Sequence, residues 1–185
     1  MIVGFDSDTT DVFAAQLAFA QEAATTMISL GTLNAPEGTP LEARLRAQGR
    51  LREDAVTDVY LSTNIVPKGM TSDQLVDGTR WLMNQLYAPA AFTERLAGLA
   101  AQLPSAPPAR PLGREGAVIW DRISQGFVHL GPEMEDMPRL AAAMFRGKDL
   151  SHLATSLIFY FHVVRMLRSW GVWDPELARA REPVW

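Results

Sequence analysis

The sequence contains no cysteine. Within these 185 residues that excludes disulfides, thiolate zinc sites, cysteine nucleophiles and cysteine-ligated iron–sulfur clusters. Histidine is scarce, with three in all. His129 falls on one expected helix, and His152 and His162 on another, ten positions apart. Metal ligands on one helix favour spacings of three or four, which align side chains on one face, so no metal site is expected. A basic excess is also missing. Seventeen Lys and Arg face 21 Asp and Glu, the formal net charge is −4, and the isoelectric point is near 5.4. No nucleic-acid partner is expected, and the local cluster Arg44, Arg46, Arg50 and Arg52 reads as the solvated face of a helix and its exit. Long apolar runs are lacking too. The longest, Leu153 to Leu167, is interrupted by Ser156, His162 and Arg165 and reads as too short for a transmembrane segment. The N-terminus has neither the basic start nor the apolar core of a signal peptide. A soluble, cytoplasmic chain is the expectation. Neither a Gly-x-Gly-x-x-Gly loop nor a Walker lysine motif occurs, and no Ser–His–Asp arrangement is readable.

What is present is an ordinary globular composition, 48% hydrophobic and 21% charged, sufficient for a substantial core. Ile2 to Phe5 reads as the end of a buried strand. Asp8, Thr9 and Thr10 are candidate caps for a helix carrying Val12, Phe13, Leu17, Ala20 and Ala24. A second strand is expected over 27–33. After the turn-rich segment 34–40, Thr39 can cap a short helix with Pro40 at its first position, carrying Leu41 and Leu45 and stopping near Gly49. Strand, helix, strand, helix is the rhythm of parallel α/β architecture. Two such units are few for a parallel sheet, which is usually larger and covered on both faces. Residues 1–50 are therefore expected to expose a sheet edge and apolar faces.

Val59 to Leu61 and Asn64 to Val66 are short apolar runs closed by Pro67-Lys68-Gly69. Thr71 or Ser72 can cap a helix whose Leu75, Trp81, Leu82 and Leu86 share a face. Pro89 interrupts, and Phe92, Leu96, Leu99 and Leu103 mark a further helix. A proline-rich break follows, Pro104 to Gly113, which favours extended geometry and no helix. Three helices are expected beyond it, at roughly 115–130, 133–146 and 150–170. Asp149 or Ser151 caps the last, Gly171 closes it, and Asp174-Pro175 starts a final turn. The fold class is α+β and mostly helical. Its divisions are 1–62 (strand–helix units), 63–103 (first helices of a C-terminal domain), 104–114 (the break) and 115–185 (the remaining helices).

Ligands gather at the carboxyl ends of parallel strands. That makes Asp6 a candidate for either loop geometry or ligand contact, while Asp8 reads as a cap. Gly4 and Gly38 flank the two strand exits, where glycine permits close approach of the backbone to a ligand. Glu133, Glu135 and Asp136 precede a helix, where acids favour the positive dipole end, and they read as caps. Phe159, Tyr160 and Phe161 point around their helix, the pattern of a central buried one. Trp170, Trp173 and Trp185 read as closing the helical core, with an interaction surface as the alternative.

Three segments carry a family resemblance. Ile2-Val3-Gly4-Phe5-Asp6-Ser7-Asp8-Thr9 resembles the fifth-strand motif of the cobalamin-binding branch of radical S-adenosylmethionine enzymes. Residues 31–41, from Gly31-Thr32-Leu33-Asn34 to Pro40-Leu41, are similar to that branch's sixth strand and following loop. Thr63 to Lys68, with the following Leu75, Gly78, Arg80 and Leu86-Tyr87-Ala88-Pro89, resembles the opening of the helical C-terminal domain of unknown function in these proteins. The resemblance covers about residues 1–100. It implies the end of a partial (β/α)6 barrel followed by a helical domain. The intact parent is expected to use S-adenosylmethionine, a 4Fe–4S cluster held by a Cys-x-x-x-Cys-x-x-Cys loop, and cobalamin, in a radical methylation or rearrangement. None of these cofactors is expected in this chain alone, which has no catalytic residues assigned and is expected to be inactive by itself. By the same resemblance Ile2, Gly4, Asp6, Thr32 and Asn34 would line the cofactor-binding mouth of the barrel. The expected partner is the missing N-terminal half or a second copy of the chain. The alternative is a non-catalytic helical protein-interaction module.

Overall fold

The computed structural model describes residues 1–52, 61–106 and 114–183. Val59 and Tyr60 of one apolar run, most of the proline-rich break and Trp185 lie outside the described residues.

Strand β1 (Ile2–Val3) leads to helix α1 (Val12–Glu22), strand β2 (Gly31–Thr32) and helix α2 (Pro40–Ala47). The two strands are parallel, with Ile2 opposite Gly31 and Val3 opposite Thr32. Both are shorter than the sequence suggests. Met1 extends the pairing, donating to Ser29 O and accepting from Gly31 N, and among the described residues the ladder goes no further along 27–30. Side chains alternate between the faces of a strand. Val3 and Thr32 are buried on the face that packs on α3, whereas Ile2 is 50% exposed on the other. Among the described residues β1 has one strand neighbour, so its outer edge is open.

Helix α3 (Ser72–Tyr87) begins at Thr71 with a reciprocal cap. Thr71 Oγ1 accepts from Gln74 N, and Gln74 Oε1 accepts from Thr71 N. Leu75, Trp81, Leu82 and Leu86 are buried together, as their spacing predicts. Pro89 opens α4 (Pro89–Gln102) instead of only breaking its predecessor. Helices α5 (Arg114–His129), α6 (Met137–Met144) and α7 (Leu150–Ser169) follow. Asp149 caps α7 through Ser151 N, Gly171 leaves it with φ +67°, and Asp174 closes a turn by accepting from Glu176 N and Ala178 N.

Three local expectations are corrected. Asp8, Thr9 and Thr10 do not cap α1 with their side chains. The main-chain carbonyls of Thr9 and Thr10 accept from Val12 and Phe13, and the Asp8 carboxylate turns back to the Gly4 and Phe5 amides. Asp136 stands at the start of α6 without a side-chain cap and pairs with Arg139, while Glu133 pairs with Arg168. Helix α7 is not buried all round. Leu153, Leu157, Tyr160, Val164 and Leu167 face the core, but Ile158 is 41% exposed. At 20 residues with mean hydropathy 1.3 it is also longer than its apolar run suggests, and by length and composition it could cross a membrane. A core helix of a folded protein passes the same test, and this one commits a whole face to protein.

One continuous core runs from Val3 and Phe13 through Trp81 and Phe92 to Phe127, Tyr160 and Val172. It joins the strand–helix units to the helical remainder. A smaller cluster of Ala35, Leu45 and Ile65 pins α2.

Candidate functional site

The carboxyl end of β1 is built by two folds of the chain. Gly4 has φ +105°, a conformation that favours glycine, and a Cβ there would come within 2.9 Å of Leu75 on α3. Beyond it, Asp8 Oδ2 accepts from Gly4 N and Phe5 N, each at 2.9 Å, and closes the loop so that Asp6 projects from it. The second fold follows α2. Gly49 (φ +64°) reverses the chain, Arg50 N donates to Leu45 O, and Arg50 O accepts from Val66 N. The residues after Val66 then run beside the β1 loop, where Thr9 pairs with Gly69. Gly69 has no room for a side chain, since its Cβ would fall 2.3 Å from Asp8 O.

These folds bring three cations to one carboxylate. Arg44 Nη1 lies 3.0 Å from Asp6 Oδ2, Arg50 Nη2 2.8 Å from Oδ1, and Lys68 Nζ 3.5 Å from Oδ2. The Arg50 guanidinium beside Asp6, helped by Lys68 and Arg44, holds the carboxyl below the usual carboxylate range. Arg50 is the most enclosed of the three and is held also by Val66 O and Gln48 Oε1. Arg44 and Lys68 are each about half exposed. The arginine cluster is thus not simply a solvated helix face: Arg44 and Arg50 turn to Asp6, and Arg46 pairs with Glu42 along α2.

Of the other sequence-derived site residues, Gly4 opens the same loop as Asp6. Ile2 lies on the open sheet face. The space beside Gly4 belongs to Leu75 rather than to a void. Thr32 and Asn34 tie β2 to residues 62–64: Thr32 Oγ1 and Asn34 Nδ2 donate to Ser62 O, and Asn34 Oδ1 accepts from Asn64 N. Among the described residues no group of three or more His, Asp or Glu side chains could hold a metal ion.

Two arrangements escaped the sequence reading. Arg95 of α4 is 1% exposed inside the core. It donates to Thr25 O and Gln21 Oε1 beyond and at the end of α1, and to Leu86 O in the last turn of α3. Burial pushes its guanidinium below the ordinary arginine range. Around it Tyr87 donates to Ile28 O, Tyr160 donates to Tyr87 O at 2.9 Å, and Thr26 meets Ser156 at 2.8 Å. The second is Asn84, fully buried, which donates to Val172 O and accepts from Asp174 N, docking the chain after α7 onto α3. Neither carries a local signature, because each partner lies far away in sequence. An apolar groove of about 190 Å³ also opens between residues 28–30, α3 and α7, lined by Met83, Tyr87, Phe159, His162 and Met166.

Fold and site together define a helix-rich α+β protein on a two-stranded parallel sheet, with a cation-rich cluster at the sheet's carboxyl end. The chain belongs to the family described as Domain of unknown function (DUF4070), whose profile matches residues 39–170. No curated protein and no solved structure matches it.

Proposed function

We propose that the chain is the C-terminal portion of a cobalamin-type radical S-adenosylmethionine enzyme, supplying the last two strand–helix units of the barrel and the helical domain behind them, and is not catalytic alone. The observation that carries this reading is the half-covered sheet. Parallel strands are normally covered on both faces. Here, among the described residues, β1 and β2 are covered by helices on the Val3 and Thr32 side, and Ile2 stands exposed opposite. A barrel has this geometry, with helices outside and an inner face turned to ligand. The open edge of β1 is where a preceding strand would pair. Phe5, Phe19 and Met27, each 46% exposed or more, are further exposed apolar side chains within residues 1–33. The resemblance of residues 1–100 to this enzyme family supplies the chemistry of the reading.

The test is the mass of the native protein in its source cells, detected with an antibody to α7. The expected band is several-fold heavier than 20.4 kDa, or a 20.4 kDa band that co-purifies with a chain carrying the cluster-binding cysteines. A solitary 20.4 kDa monomer overturns the proposal.

A second reading, a self-sufficient helical interaction module, is favoured by the continuity of the core. Val3, Ile28 and Leu30 belong to the same apolar cluster as Tyr160 and Val172, with no seam between the two parts. A cooperative melt of the isolated chain as a monomer would support it.

A further inference from the structure

We infer that the cluster at the carboxyl end of β1 is an anion-binding site for a phosphate group, with Arg44 and Lys68 as its contacting residues and Asp6 and Arg50 as their anchor. Charge is the first argument. Arg44, Arg50 and Lys68 bring three positive charges to the single negative charge of Asp6. Gathering like charges is unfavourable unless each is compensated, and one carboxylate compensates one. With Asp8 counted beside Asp6, the described residues still keep a positive excess there, which suits a phosphate, an anion of about −1.5 to −2 as a monoester near neutral pH. Asp8, the adjacent acid, directs Oδ2 to the Gly4 and Phe5 amides.

Donor capacity is the second argument. Asp6 Oδ2 is shared by Arg44 and Lys68, and Oδ1 is taken by Arg50. Arg44 gives Asp6 one N–H of its planar fork, and Lys68 stands at 3.5 Å, the long end of contact. Both heads are about half exposed, so their remaining donors face solvent side by side. A guanidinium fork beside an ammonium is the donor set that recognises phosphate oxygens. Arg50, by contrast, donates to Val66 O and Gln48 Oε1 and sets its buried Nη2, which has no hydrogen-bond partner among the described residues, 2.8 Å from Asp6 Oδ1, where its charge anchors the carboxylate that holds the other two. The location adds to this, because ligands of parallel sheets collect beyond the strand carboxyl ends. The inference concerns this chain alone and stands whether or not the sheet is completed by another half.

The experiment is calorimetric titration of the full chain with inorganic phosphate, pyrophosphate and acetate at a fixed ionic strength of about 0.1 M. Saturable binding of phosphate, tighter binding of pyrophosphate and none of acetate are expected. The variant Arg44→Gln/Lys68→Gln should lose at least about tenfold in phosphate affinity, the scale of a charge-assisted contact. Lys68→Gln alone, the mildest change to the fold, should lose part of it, and Arg139→Gln on α6 should lose none. Absence of saturable binding overturns the assignment. So does an equal response to acetate, undiminished affinity in the Arg44/Lys68 variants, or an equal loss in Arg139→Gln.

Discussion

Phe13 of α1 lies against the backbone of α3 at Gly78, where a Cβ would fall between 2.1 and 2.6 Å from three atoms of its ring. The two helices approach this closely because position 78 has no side chain. Gly78→Ala gains about 1 kcal/mol of helix propensity but overpacks a rigid ring, which costs typically about 1–3 kcal/mol and more when backbone must move. The clash is deep enough to win, and a net loss of stability is expected in urea denaturation. Gly78→Ala combined with Phe13→Ala should cost less than the sum of the two, since removing the Phe13 ring relieves the clash that the new Cβ at position 78 creates. Strict additivity would refute this account.

Arg95 holds the end of α1 and the last turn of α3 together by hydrogen bonds to Thr25, Gln21 and Leu86. Arg95→Met keeps the volume but leaves the buried Leu86 O without this donor, at about 1–3 kcal/mol, with less lost at the part-buried Thr25 O and Gln21 Oε1. Arg95→Lys should not rescue, because a point charge cannot serve acceptors placed around a planar fork. Equal stability of the Met variant and the parent would show the buried cation to be dispensable.

Two pH limits follow from the same structure. The carboxyl of Asp6 is lowered by Arg50, so the unfolded state binds the proton more tightly than the native state. The stability it contributes is full above the unfolded value near 4 and is lost as pH falls through the lower folded value. Urea midpoints between pH 2 and pH 6 should show this acid limb in the parent and a shallower one in Asp6→Asn. At the alkaline end, burial pushes the Tyr87 and Tyr160 phenols far up. Their contribution is full below the unfolded value near 10 and is lost as pH rises above it. Phenolate absorbance from these two residues should therefore appear together with loss of the fold, and a gradual rise in the folded protein would contradict their burial.

Hydrogen exchange reports on the open sheet edge. Val3 and Leu33 sit in the short ladder between β1 and β2, while Leu157 and Val164 lie inside α7. In the isolated chain, residues 1–33 should exchange faster than residues 150–170, because among the described residues the β1–β2 ladder within them has one strand partner on β1 and one covered face. Equal protection would remove the main support for a sheet completed by another segment.

Local patterns were legible wherever the cause is local. The Thr71 cap, Pro40 at a first helical position, the Asp149 cap and the Gly171 exit all rest on groups within a few residues, and the apolar periodicity of α3 places Leu75, Leu82 and Leu86 in the core, whereas Pro89, read as an interruption, opens α4. The absence of cysteine likewise settles from sequence that this chain supplies no thiolate ligand. Tertiary structure decided what joins at a distance. Asp6 and Arg44 are 38 positions apart and meet through the loop that begins at Gly4, while the turn at Gly49 brings Arg50 to the same carboxylate. The same holds for Asn84 with Val172 and for Arg95 with Thr25: a polar side chain in a sequence does not say which distant main-chain group will satisfy it. Nor does periodicity decide how far a short apolar run pairs as a strand, because a ladder needs a neighbour, and among the described residues the pairing along 27–30 reaches only Ser29 beside Met1. Hydrophobic pattern and caps are properties of a segment, whereas pairing, charge clustering and close helix approach belong to the space between segments.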